Sequence, residues 1–294
     1  EGASLHASLG TMSGCLLNIL LDPVFILPWG LNMGAAGAGC ATFLSNCVAC
    51  LYFFVLLFIK RGNTFVCIDP KKLSFQKDIV SGVCAVGIPA SIQNLLNVTG
   101  MTILNNFSSS YGASAVAAIG ICQKIYMVPM YISQGISQGV MPLISYNYGA
   151  KKLERVKEAF FCQFLVCVGY TTVFWLLVLF LPRAFAGIFT SDGALVDYTA
   201  WAIRIFLAGT FSVGFQVSCQ LAFMALGQAK ISLIMACLRK LILLIPLIFI
   251  LPNFFADKAF AVFLAEPVSD ILAAAVTTIT FFTFFRKLLK AGKQ

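Results

Sequence analysis

Gly34-Ala-Ala-Gly-Ala-Gly-Cys-Ala-Thr-Phe-Leu-Ser-Asn-Cys-Val-Ala-Cys-Leu-Tyr-Phe-Phe-Val-Leu-Leu-Phe-Ile59 carries no charged residue, and Lys60-Arg61 follow at once. About 20 apolar residues suffice to cross the hydrocarbon of a bilayer as a helix. This stretch exceeds that length and is closed by cations, which belong in water. It reads as a membrane-spanning helix, and the rest of the chain reads the same way. Of its 294 residues 60% are hydrophobic and only 11% charged, and the mean hydropathy is +0.93. Soluble domains carry about 25% charged residues, and disorder needs low hydrophobicity. A soluble enzyme and a disordered chain are both excluded.

Seven more apolar runs follow the same rule: Ala7–Leu27, Ile79–Phe107, Ala113–Tyr146, Phe160–Leu181, Tyr198–Leu226, Ile231–Leu251 and Ala259–Phe285. They are too long, and alternate too little, for the strands of a lipid-facing barrel. Only helices satisfy their own backbone within such runs. The expected fold class is therefore an all-α membrane protein, a polytopic bundle of eight transmembrane helices.

The net charge is +9. The basic residues do not form a stripe interleaved with aromatics, so nucleic acid is not an expected partner. With eight spans, Lys60, Arg61, Lys71, Lys72, Lys77, Lys151, Lys152, Arg155, Lys157, Lys230, Arg286, Lys287, Lys290 and Lys293 fall on one side. Only Arg183 and Lys258 fall on the other. Basic loops stay cytoplasmic. Both ends of the chain are thus expected in the cytoplasm of a cell carrying it in its plasma membrane, with the first span running outward.

The 11 cysteines lie mostly inside apolar runs, where Cys behaves as a small hydrophobe. Cys47 and Cys50 form a lone CxxC on an apolar helix without further ligands, and His6 is the single histidine. No metal, no cofactor and no Ser-His-Asp triad is expected. Paired Asp-rich metal motifs and an intramembrane catalytic dyad are missing too, which argues against an intramembrane enzyme.

Three spans carry too many amides to be plain anchors. The third holds Gln93, Asn94 and Asn97; the fourth Gln123, Lys124 and Gln134; the sixth Gln216 and Gln220. Amides are costly in hydrocarbon unless they meet another helix or water. They read either as interhelical hydrogen bonds, each worth under about 2 kcal/mol, or as the wall of a polar cavity. Their number on three helices favours the cavity. Met127, Met130, Tyr131, Phe215 and Met224 offer soft contacts to aromatic compounds, though a Met or aromatic on a helix more often serves ordinary packing.

Charges inside spans need a partner or a task. Glu266 and Asp270, at i and i+4, share one helix face. Two adjacent carboxylates repel and can hold a proton or cation between them. Alternatively Arg239 or Lys240 on the preceding span neutralises them, with Arg239–Asp270 the favoured pair. Lys124 either lines the cavity, or snorkels or pairs with Glu266. Asp22 and Arg204 lie near outer span ends and read as structural.

Phe25-Ile-Leu-Pro28 recurs as Phe249-Ile-Leu-Pro252, and in the same register Ala41 meets Ala265, Ser45 meets Ser269 and Asn46 meets Asp270. Both tetrapeptides end outward-running spans, so the repeat is parallel, as in two-lobed transporters. The mate of the third span would then precede Glu1. The expectation is a twelve-helix, two-lobed protein lacking its first four helices here. Residues 1–59 would be the last two helices of the N-terminal lobe, 60–78 a basic cytoplasmic linker between lobes, and 79–294 a complete six-helix C-terminal lobe.

Gly135-Ile-Ser-Gln-Gly-Val-Met-Pro-Leu-Ile-Ser-Tyr-Asn-Tyr-Gly-Ala-Lys151 resembles a signature of the multidrug and toxic compound extrusion (MATE) family. Leu21-Asp-Pro-Val-Phe-Ile26 and Gly34-Ala-Ala-Gly-Ala-Gly-Cys-Ala-Thr42 resemble its fifth and sixth helices, Gly87-Ile-Pro89 the start of its seventh, and Ala265-Glu-Pro-Val-Ser-Asp270 its twelfth. The resemblance covers essentially the whole chain. It implies a monomeric secondary transporter with a central cavity, exporting small organic, often cationic or aromatic, compounds in exchange for Na⁺ or H⁺. A lipid-linked precursor flippase of related two-lobed design is the alternative; it would want more cavity cations than Lys124 and Arg239. Some members carry an acid where this chain has Asn97, and another near Val213; neither is present. Coupling then falls to a carboxylate in the missing first helix, the favoured reading, or to Glu266 and Asp270. The 294-residue piece is not expected to transport alone.

Overall fold

The computed structural model describes residues 4–28, 30–60 and 75–291. Arg61, Lys71, Lys72, Lys293 and most of the expected 60–78 linker lie outside the described residues. All regular structure among the described residues is helical. The chain forms two compact units, Glu1–Gln76 and Lys77–Gln294.

The first unit is a helical hairpin of α1 (Ser4–Ile26) and α2 (Gly34–Ile59). Small residues let the two rods approach: a Cβ on Gly14 would lie 3.0 Å from Ala49 Cβ and 3.3 Å from the Ser45 carbonyl. Close approach of backbones is how helices gain contact in lipid, where apolar burial alone gives no drive. The turn is closed by Leu31 N–H on Val24 O at 2.8 Å and Met33 N–H on Phe25 O at 2.9 Å.

The second unit contains α3 (Lys77–Ser109), α4 (Ala113–Gly149), α5 (Leu153–Phe180), the short α6 (Pro182–Gly187), α7 (Gly193–Phe206), α8 (Phe211–Ala225), α9 (Ala229–Cys237), α10 (Ile245–Ile250) and α11 (Lys258–Ala291). A π-helical segment, Leu238–Leu244, joins α9 to α10. Among the described residues seven helical stretches are long and apolar enough to cross a membrane, and eight if one bent pair is counted as a single span. That pair corrects one expectation: the apolar run Tyr198–Leu226 is not one rod. It is α7 and α8, meeting at 49°. The bend is built from tight i→i−3 bonds, Thr210 N–H to Leu207 O at 3.0 Å and Ser212 N–H to Gly209 O at 2.9 Å. Gly209 is required there, because a Cβ would lie 2.9 Å from Pro267 Cα on α11.

α8 packs against α4, α5 and α11 and carries much of the core. At one end Phe160, Phe223, Phe281 and Phe285 are buried together; Phe160 and Phe281 have ring centroids 4.5 Å apart. Elsewhere Ile119, Ile203, Leu207, Val213, Ile248 and Phe263 form a second buried cluster. Ile26 ends α1 and Ile250 ends α10.

Candidate functional site

A cleft of about 70 Å³ opens in the second unit between α3, α4, α8, α9 and the π segment. Gln93, Asn97, Gln134, Gln216 and Gln220 line it, together with Leu96, Met130, Val217, Leu221, Ala236, Arg239 and Lys240. Its amides come in pairs set by helical spacing. Gln93 and Asn97 on α3 are i and i+4, as are Gln216 and Gln220 on α8, so each pair shares a face. Met130 and Gln134 repeat the spacing on α4. The far side of the cleft is tied by Ser232 on α9. It accepts from Gln93 Nε2 at 3.1 Å and donates to the Gln220 carbonyl at 3.2 Å. Gln216 is 2% exposed, yet its Nε2 has no hydrogen-bond partner. A buried amide without a partner is costly.

Not every residue singled out in the sequence faces this space. Asn94, Lys124 and Tyr131 are exposed and Met127 is half-buried, and none of them lines the cleft. Gln123 is buried with its own Nε2 unpartnered, and it does not line the cleft either. Phe215 packs edge-on against Phe164, 5.4 Å between centroids, and Met224 also lies off the cleft. Asn97, where some members of the resembled family have an acid, does line it. Val213, near the second such position, is 2% exposed within the core.

Four of the charges inside the spans, Arg239, Lys240, Glu266 and Asp270, converge beside the cleft. Arg239 Nε donates to Asp270 Oδ1 at 2.6 Å, and Lys240 Nζ to Glu266 Oε1 at 2.8 Å. A longer contact of 3.6 Å joins Arg239 to Glu266. The Tyr126 hydroxyl donates to Asp270 Oδ2 at 2.7 Å and accepts from the Arg239 guanidinium. All five residues are buried. The cluster holds two cations and two anions, so its formal charge balances. Lys124 has no part in it; Glu266 is held by Lys240 instead.

Arg239 and Lys240, two consecutive residues, reach Asp270 and Glu266 on α11 from the π segment. Pro246 lies just beyond it: proline has no N–H for the carbonyl four residues back, and its ring crowds that group. On α3, Gly100 clears the path, since a Cβ there would lie 3.3 Å from Lys240 Cδ. Tyr126 was missed in the sequence because a lone tyrosine among apolar residues carries no signal of its partner. Among the described residues no group of three or more His, Cys, Asp or Glu could hold a metal ion.

The family model described as MatE matches residues 89–250, more than half the chain. The chain belongs to the MatE family. Its members are transporters rather than enzymes, and the chain is a multi-pass membrane protein. The match takes in α4 and α8, and so most of the cleft. Among curated relatives, the multidrug export protein MepA of Staphylococcus aureus (strain N315) is 32% identical over 258 residues, 86% of this chain and 55% of the relative. MepA of Staphylococcus saprophyticus is 29% identical over 283 residues, 94% of this chain and 60% of the relative. The chain therefore spans little more than half the length of these MatE relatives. A crystal structure of a MATE protein in the straight conformation superposes with a TM-score of 0.88 at 24% identity, covering 98% of this chain and 64% of that one. An outward-facing multidrug resistance MATE transporter gives 0.85 at 24% identity, covering 98% and 63%. These likenesses carry the fold.

Proposed function

We propose that this MatE chain is the larger part of a secondary active multidrug exporter, moving organic, often cationic or aromatic, compounds out of the cell in exchange for Na⁺ or H⁺. The amide-lined cleft in the second unit carries the reading. Amides bind neutral polar groups and tolerate cations without fixing one geometry, while Met130, Leu96 and Leu221 supply adaptable apolar contact. The export named for the MepA relatives supports the direction and the breadth of substrate. Residues 79–294 would be the six-helix C-terminal lobe, 60–78 its cytoplasmic linker, and 1–59 two helices of the N-terminal lobe, completed by four further helices. Both ends of the chain would be cytoplasmic, in the plasma membrane, and the complete protein a monomer.

Because Glu266 and Asp270 are each paired with a cation, ion coupling is better placed on a carboxylate in the completing helices. The paired state of Arg239 and Lys240 also leaves few free cations for the pyrophosphate of a lipid-linked precursor.

Vesicles carrying the complete protein are expected to move ethidium several-fold faster under a Na⁺ or H⁺ gradient than without one. Equal rates with and without either gradient, measured by dye fluorescence, would remove the exchange mechanism. The 294-residue chain alone is expected to give no gradient-dependent efflux.

A further inference from the structure

A second cavity lies away from the cleft, where α5 ends and α6 packs on α7. It is about 450 Å³ and is walled by Phe180 and Leu181 from the end of α5, Arg183 on α6, and Trp201 and Arg204 on α7. Its chemistry is divided. Phe180 is 76% exposed and Leu181 52%, which makes one wall an apolar surface open to the surroundings. The other wall presents two guanidinium groups and one carboxylate. Arg183 bonds Asp197 at 3.0 Å, with both side chains largely exposed. Arg204 is exposed and has no ion-pair partner among the described residues. The local balance is thus one positive charge in excess.

Arg204 lies eleven residues into α7, about 16 Å along it at 1.5 Å per residue. Arg204 stands in the last turn of that helix, and its exposed guanidinium is left to pair with an anion from outside the protein. A lipid phosphate offers that anion, and the arginine fork matches a phosphate through two parallel hydrogen bonds. Trp201 is the residue type that settles at the headgroup level of a bilayer. The site also lies at the end of α5 opposite to Lys151, Lys152, Arg155 and Lys157, which precede or open that helix. It therefore sits at the membrane face poor in protein cations.

We propose that this cavity binds the phosphate of an anionic glycerophospholipid on Arg204 and Arg183, with an acyl chain lying along Phe180 and Leu181. The site is separate from the drug cleft and does not depend on its function. An inorganic phosphate shares the anionic chemistry but not the apolar wall, so the lipid binds far more tightly.

The test uses the complete protein in a neutral detergent, with native mass spectrometry counting retained phosphatidylglycerol. Arg204→Gln with Arg183→Gln is expected to weaken phosphatidylglycerol binding at least tenfold. Lys258→Gln, which removes a cation from the same membrane face, should change it less than twofold. Inorganic phosphate at millimolar concentration should not displace the lipid. A photoactivatable phosphatidylglycerol should label the unmutated protein within residues 180–205, a readout that survives if the variants do not fold. Unchanged binding by the double variant, displacement by inorganic phosphate, or labelling only elsewhere would overturn the proposal.

Discussion

Arg239→Met is expected to destabilise the second unit by about 3–5 kcal/mol, the cost of breaking a buried ion pair by removing one partner. Methionine fills much of the arginine's volume, so the loss is mainly electrostatic. Asp270 would keep only the Tyr126 hydroxyl, at 2.7 Å, against a full negative charge. Glu266 would keep Lys240 at 2.8 Å. The cluster would change from balanced to one net negative charge, at 1% exposure for the Asp270 side chain. Asp270→Asn in the same chain restores the balance and should recover at least half of the loss. Equilibrium unfolding of the single and double variants measures the coupling. If Arg239→Met matches the unmutated protein, the pair does not hold the fold.

Phe281→Ala should cost a comparable amount, about 3–5 kcal/mol for deleting a buried aromatic ring. Phe281 is fully buried and joins three helices. Its ring centroid is 4.5 Å from Phe160 on α5, 5.0 Å from Phe223 on α8 and 5.4 Å from Phe285 one turn along α11. Lipid tails offer dispersion contacts as good as those of a leucine, so burial by itself gains little in a membrane. What the alanine forfeits is close packing, since its neighbours cannot collapse into the space. Phe281→Leu should cost less than half as much. Ile279→Ala, on the same helix at 67% exposure, should change stability by under about 0.5 kcal/mol. Thermal unfolding of the three variants in one detergent tests the ranking.

The spans were legible because long apolar runs are a strong signal. The bend at Leu207–Thr210 was not: it holds Gly209 so near Pro267 that a Cβ would not fit, and the two residues are far apart in sequence. The amide pairs could be read from their i, i+4 spacing: Gln93 with Asn97, and Gln216 with Gln220. Asn94, Lys124, Met127 and Tyr131 sit among the same apolar residues but on other faces, and composition alone could not separate them. Arg239 with Asp270 followed from two unlike charges on adjacent spans. Lys240 joins the same cluster by bonding Glu266 while its neighbour Arg239 bonds Asp270, a division that two consecutive basic residues do not announce.

The proposed function sets the amides of α8 against the exported compound. Gln216 Nε2 has no protein partner and Gln220 Nε2 makes only a 3.4 Å contact to the Ser232 carbonyl, so both can be removed with little effect on the fold. Two lost hydrogen bonds at about 1 kcal/mol each amount to roughly tenfold or more in affinity. The decisive measurement is ethidium binding, by fluorescence titration, to the complete protein and to its Gln216→Leu/Gln220→Leu variant. A dissociation constant at least tenfold higher, at an unchanged unfolding midpoint, is the predicted result. Binding within twofold of the unmutated protein would contradict it.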